Sequence, residues 1–196
     1  VIESNLSPTA KSPAGAAGMW QFIQSTGRKY GLEVNTNIDE RYNIEKATRA
    51  ACAYLKESYE MYGDWMTVAA SYNAGQNGIS NRLEQQGVDK AMDLWLVEET
   101  SRYMFRILAA KTVLSDPKPY GFVLKRSQLY PYIAPKKIVT TTLQIDDLTA
   151  FAKEHGVTIA QLKEENPWLR EYTMNNKSGR TYHIRIPDAE ALHYDP

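Results

Sequence analysis

The chain has 196 residues, 43% of them hydrophobic, and its 23 Lys+Arg balance 23 Asp+Glu to a formal net charge of zero. That balance argues against nucleic-acid binding driven by phosphate neutralisation, and no apolar run is long enough to span a membrane. A single cysteine, Cys52, excludes an intrachain disulfide; among Ala50, Ala51, Ala53 and Tyr54 it is expected to be a buried, inert thiol. His155, His183 and His193 are too scattered for a metal-ligand pattern, and no metal or cofactor is implied. The aromatic content, 13 Tyr and 4 Trp, suits either sugar stacking or core packing.

The length accommodates one ordinary domain and a small second one. The stretch from Glu3 to Phe22 is a small-residue loop that runs into an aromatic-rich segment. Pro8 and Pro13 rule out a continuous helix there, and Gly15 and Gly18 permit a tight path before Trp20. A carboxyl such as Glu3, kept protonated by apolar neighbours such as Ile2 and Trp20, meets the condition for a general acid. The plainer reading is a solvated carboxylate on an ordinary loop.

A first helix is expected over 19–30, closed by Gly31. Asn43 can cap a second, in which Ile44, Ala47, Ala51, Tyr54, Leu55, Tyr59 and Tyr62 recur at helical spacing up to Gly63. Asp64 can cap a third helix from Trp65 to about Asn73, ended by Gly75. Gln76, Asn77 and Gly78 read as a turn before a helix over 79–86. Glu98 and Glu99 open a longer helix carrying Tyr103, Met104, Ile107, Leu108 and Leu114.

Residues 115–137, with Pro117, Pro119, Pro131 and Pro135 among Tyr120, Tyr130 and Tyr132, read as a linker packed on the helical part. A compact module follows. Ile138 to Gln144 suits a strand, Asp146 can cap a helix ending at Gly156, and Thr158 and Gln161 form a capping box for another. Thr181 to Ile186 alternates as a second strand.

Several ordered blocks now resemble a known family. They are Glu3-Ser4, the run from Ser12 to Gln21, Asp39 to Ala47 with Tyr42-Asn43-Ile44, then Ser71-Tyr72-Asn73-Ala74-Gly75, and Glu99 to Tyr103. Their order and spacing are similar to those of the lytic transglycosylases with a soluble-type, goose-lysozyme-like catalytic domain, nearest the membrane-bound lytic murein transglycosylase D branch. Residues 138–188 resemble a LysM module, with Ile145-Asp146-Asp147-Leu148 in place of the usual Gly-Asp-Thr-Leu opening.

The resemblance implies a mainly α fold: a lysozyme-like all-helical catalytic domain over 1–114, the linker at 115–137, a βααβ LysM-like domain over 138–188 and a tail at 189–196. In the family the catalytic Glu ends a helix, of which only Val1 and Ile2 precede Glu3 here, so the catalytic domain is expected to be N-terminally truncated. The implied reaction cleaves the β-1,4 bond between N-acetylmuramic acid and N-acetylglucosamine and leaves 1,6-anhydromuramic ends. Glu3 would act as acid and then as base. Ser4, Ser12, Met19, Gln21, Tyr72, Asn73 and Tyr103 would bind the substrate.

Core packing stays open for Tyr72 and Tyr103, and Trp20 and Trp65 are read as core residues rather than sugar platforms. Asp39 stands as a possible second carboxylate, which a lysozyme-like hydrolase would need. A non-catalytic peptidoglycan-binding protein is the third reading, and the LysM-like module is either a sugar binder or a structural appendage. The implied partners are peptidoglycan glycan strands, with no nucleic acid, in a monomer facing the periplasm. A lipid anchor lying outside the chain is compatible with this.

Overall fold

The computed structural model describes residues 1–130 and 133–188. Pro131 and Tyr132 of the linker and the tail at 189–196, with His193, lie outside the described residues. Seven α-helices and two strands are described: α1 Gln24–Lys29, α2 Ile44–Tyr62, α3 Trp65–Ala74, α4 Gln76–Gln86, α5 Glu98–Ser115, β1 Lys137–Thr141, α6 Leu148–Glu154, α7 Ile159–Glu165 and β2 Tyr182–Ile186. The fold is mainly α with one small sheet, as the sequence suggests.

The packing does not divide the chain near residue 114. One compact unit joins Val1–Asn5 to Ala51–Leu129, and the other joins Leu6–Ala50 to Tyr130–Pro196.

In the first unit, α3 starts where Asp64 accepts hydrogen bonds from the Thr67 backbone N–H and hydroxyl. Thr67 in turn accepts from the Ala91 N–H, which ties the turn at 91–93 to α3. Ala70, Ile79, Ala91 and Met104 form the core, in which α3 packs on both α4 and α5. Gly75, at φ 82°, separates α3 from α4 in a conformation that disfavours any side chain. Because this one residue makes the bend, α4 begins at Gln76, and the turn expected over 76–78 is helical.

Two further expectations fail in this unit. Cys52 is exposed, because the buried face of α2 runs through Ala47, Ala51, Tyr54 and Ser58, a quarter-turn away. The linker is packed less than expected: of its described aromatic residues in this unit, Tyr120 and Phe122 are half exposed. In the second unit Tyr130 is wholly exposed.

That second unit has its own core. Ala17, Ile38 and Tyr42 pack with Leu148, Ala152, Leu162, Trp168, Leu169, Met174, Tyr182, Ile184 and Ile186. β1 and β2 pair antiparallel, Val139 opposite Ile184, and Tyr182, Ile184 and Ile186 turn inward while His183 points out. β1 ends at Thr141, three residues short of expectation, because the Thr141 hydroxyl accepts the Leu143 N–H and turns the chain. Asp147, rather than Asp146, caps α6 through the N–H groups of Thr149 and Ala150. The Thr158–Gln161 capping box starts α7 as read.

The segment before α2 is stitched into this module by a bridge between Ile38 and Leu169 and by hydrogen bonds from Asp39 N–H to Trp168 and from Arg170 N–H to Asn37. The buried Asn37 side chain donates to the Thr173 carbonyl at 2.9 Å and accepts from the Asn175 N–H at 2.8 Å. Asn37→Ala removes both bonds and is expected to lower the unfolding free energy by about 2 kcal/mol. The urea midpoint of the full chain reads this directly; an unshifted midpoint would show that the Asn37 bridge contributes nothing.

Candidate active site

Glu3 lies in the first unit, on a single helical turn that Asn5 closes by donating its N–H to the Val1 carbonyl at 2.8 Å. Asn5 itself and Leu6 take positive φ angles of 51° and 65° and end the turn sharply. Asn tolerates that region; nothing in the sequence marks Leu6 for it.

The carboxyl is met from α5. The Tyr103 hydroxyl donates to Glu3 Oε1 at 2.5 Å. Tyr72, on α3, stands in the same electrostatic neighbourhood: the Glu3 charge raises the pKa of both phenols, after burial itself. Behind Tyr72 the Tyr54 ring packs edge-on at 5.1 Å, and its hydroxyl donates to the Ser71 carbonyl at 2.7 Å. Ser71 is fully buried and satisfied through the Val68 carbonyl. The sequence presents Tyr54 only as part of an apolar stripe; its support of Tyr72 depends on the α2–α3 packing, which spacing does not reveal.

Two effects oppose each other at Glu3. Burial raises its pKa, whereas the Tyr103 hydrogen bond lowers it, and burial wins. The walls that desolvate it here include tyrosines, which stay neutral and can donate.

Of the expected site residues, the catalytic Glu3 and the substrate-binding Tyr72 and Tyr103 are thus drawn together. Asn73 is half-buried beside Tyr72, and Ser4 follows Glu3 on the same turn. Ser12, Met19 and Gln21 belong to the second unit. There, Ser12 Oγ accepts the Ala16 N–H at 3.0 Å, and Gln21 Nε2 donates to the carbonyls of Gly18 and Ala10 at 2.7 and 3.2 Å. These bonds shape the loop and hold Gln21 at a positive φ of 51°. The turn made by Gly18 and Gln21 replaces the start of the expected first helix, so α1 begins only at Gln24.

Arg41 clamps this loop. Its guanidinium grips both Asp39 oxygens, at 2.9 and 2.7 Å, and donates to the carbonyls of Gly15 and Phe22 at 2.8 and 3.0 Å. Gly18 passes so close that a Cβ would lie 1.9 Å from the Arg41 carbonyl oxygen. Asp39 is therefore committed to Arg41, a role that its place in the sequence did not disclose. Trp20 donates its indole N–H to Thr48 at 2.9 Å. Trp65, read as core, is 59% exposed and stacks on Tyr59 at 4.4 Å. Among the described residues, no group of His, Cys, Asp and Glu is arranged to hold a metal ion.

Two family profiles match the sequence. The transglycosylase SLT domain covers residues 1–94, and the soluble lytic transglycosylase C-terminal LysM-like domain covers 137–190. The chain is 30% identical, over 97% of its length, to the membrane-bound lytic murein transglycosylase D of Escherichia coli K12. It carries a transglycosylase SLT domain followed by a C-terminal LysM-like domain. It is also 34% identical over 54% of its length to the peptidoglycan transglycosylase gp16 of Escherichia phage T7, and 33% identical over 44% to the membrane-bound lytic murein transglycosylase F of Shewanella frigidimarina. The chain spans 42% of the Escherichia coli protein, 8% of the phage protein and 19% of the Shewanella one.

Two consequences of the Glu3 environment are open to measurement. A carboxyl-detected NMR titration is expected to place the Glu3 midpoint above 4.5, and Tyr103→Phe, which removes a donor to the charged form, should move it higher still. A downward shift in the variant would mean that the hydrogen bond is not what restrains the pKa. The raised pKa also means that the folded state binds the proton more tightly than the unfolded chain. Stability attributable to Glu3 is then lost as pH rises from the unfolded pKa through the folded one. Glu3→Gln is accordingly expected to raise the thermal midpoint at pH 7 and to leave it nearly unchanged at pH 3.5. Equal effects at both pH values would contradict this.

Proposed function

We propose that the chain forms a catalytic portion of a peptidoglycan lytic transglycosylase, with Glu3 as its only acid–base group. The observation that carries this reading is a partly desolvated carboxyl whose pKa is raised and one of whose oxygens is held by the Tyr103 hydroxyl.

In the proposed cycle, protonated Glu3 gives its proton to the glycosidic oxygen as the bond from the muramic anomeric carbon breaks. The acetamido group of the substrate stabilises the resulting cation. Glu3, now a carboxylate, takes the proton of the muramic 6-hydroxyl, whose oxygen attacks the anomeric carbon and closes the 1,6-anhydro ring. One carboxyl returns to its starting state and no water is consumed.

Tyr103 would hold the carboxylate between the two proton transfers, with Ser4, Tyr72 and Asn73 lining the site. Ser12, Met19 and Gln21 would contact the sugar through the loop that Arg41 shapes. A lysozyme-like hydrolase is less well supported: it needs a carboxylate to activate water, and both oxygens of Asp39, the candidate named for that role, are occupied by Arg41. The names of the relatives support action on murein in the cell envelope. No helix among the described residues is long and apolar enough to cross a membrane.

Purified peptidoglycan incubated with the protein should release fragments with anhydro ends, one water lighter by mass spectrometry than hydrolysis products. Glu3→Gln should slow their release by at least about a hundredfold, and the wild-type rate should fall as pH rises through the Glu3 pKa. Fragments with reducing muramic ends, or a folded Glu3→Gln protein with undiminished release, would overturn the assignment.

A further inference from the structure

The second unit contains a cavity of about 610 Å³, within the range of small-ligand sites, lined from the start of α2, the end of α7 and strand β2. Three Tyr or Trp residues line it, yet none offers a ring face, and the exposed lining imidazole, His183, is engaged by the Thr140 hydroxyl at 2.9 Å. Tyr42, Trp168 and Tyr182 are all buried. Trp168 and Tyr182 stack on each other at 5.7 Å, and the Arg170 guanidinium sits 4.4 Å from the Tyr42 ring. A sugar needs an exposed aromatic face to stack on, so the lining is a poor glycan platform.

What the cavity exposes is aliphatic and ionic. Ile44, Ile133 and Ile138 are 46%, 43% and 52% exposed at its wall. Most of its charges cancel internally: Arg185 pairs with Glu45 at 3.1 Å and Glu165 at 2.6 Å, and Lys46 pairs with Glu40. Arg49 and Glu164, both exposed lining residues, have no ion-pair partner among the described residues. One unpaired cation, one unpaired anion and an isoleucine wall, in a lining of three cations and four anions, complement a short peptide that carries both charges and small apolar side chains.

We propose that this cavity binds the peptide stem carried by the glycan strand, with Arg49 receiving a stem carboxylate and Glu164 a stem ammonium. The identity of the peptide rests on the peptidoglycan reading above; the peptide-like chemistry of the cavity does not.

The test is an NMR titration of the full ¹⁵N-labelled chain with a synthetic stem tetrapeptide that ends in a diamino acid and D-alanine. A tetramer of β-1,4-linked N-acetylglucosamine is titrated in parallel. The peptide is expected to give saturable shifts at the amides of Ile44, Glu45, Arg49, Glu164 and Trp168, and the sugar none there. Arg49→Glu and Glu164→Lys, both at exposed positions, should each weaken peptide binding about fivefold, the contribution of one solvent-exposed ion pair. Absence of saturable peptide shifts, shifts of the same amides by the sugar, or unchanged affinity in both variants would overturn the proposal. Fragment release is scored separately. Release without peptide binding sinks the stem site alone, and peptide binding without release supports the site while sinking the enzymatic reading.

Discussion

The contact between Ile38 and Leu169 is the constraint on which the second unit depends. A two-stranded ladder with two seven-residue helices is a meagre structure, since short helices and single hairpins are marginal in water. Here Ala17, Ile38 and Tyr42 complete its core, and Asn37 and Asp39 bond to its backbone on either side of Ile38. The LysM-like module is thus built together with the segment that precedes α2. The family profiles split the chain by ancestry, at 94 and 137, whereas packing groups 6–50 with the C-terminal module. Both divisions hold, because they answer different questions.

From Ile38 the constraint passes along a few residues to the loop. Asp39 and Arg41 are fixed beside it, and in their buried pair each of the three guanidinium nitrogens donates to an acceptor, the kind of pairing under which such a pair is tolerated inside a protein. The carbonyls of Gly15 and Phe22 are two of those acceptors. The loop from Ser12 to Phe22 therefore takes its shape from the same residues that complete the LysM-like core, which gives the module a physical role that does not require it to bind sugar.

What the sequence made legible was local. The Asp64 cap, the Thr158–Gln161 box and the alternation of Tyr182, Ile184 and Ile186 each act within a few residues, and each is present. Errors arose where a local signal met a longer-range one. Trp20 looked like the start of a helix until Gly18 and Gln21 turned the chain; Cys52 looked buried because its neighbours are, although one residue along a helix is another face. The meeting of Tyr103 with Glu3 joins residues 100 apart and has no signature in spacing. Resemblance alone suggested it, and the same resemblance placed Ser12 and Gln21 without indicating that their polar groups serve the loop backbone.

In the cycle proposed for Glu3, a general acid later acts as a base, and such a group needs neither of its protonation states to be strongly preferred. Burial alone would leave Glu3 an obligate acid, reluctant to part with its proton. An arginine paired with it would instead favour the carboxylate. A neutral donor lies between these extremes: the Tyr103 hydroxyl partly offsets desolvation without adding a formal charge, and burial keeps its own proton in place. Phenols, rather than arginine or aliphatic residues, are therefore suited to surround a single carboxyl asked to play both parts. Tyr54, anchored to the Ser71 carbonyl and set against the Tyr72 ring, helps fix the geometry in which that compromise is struck.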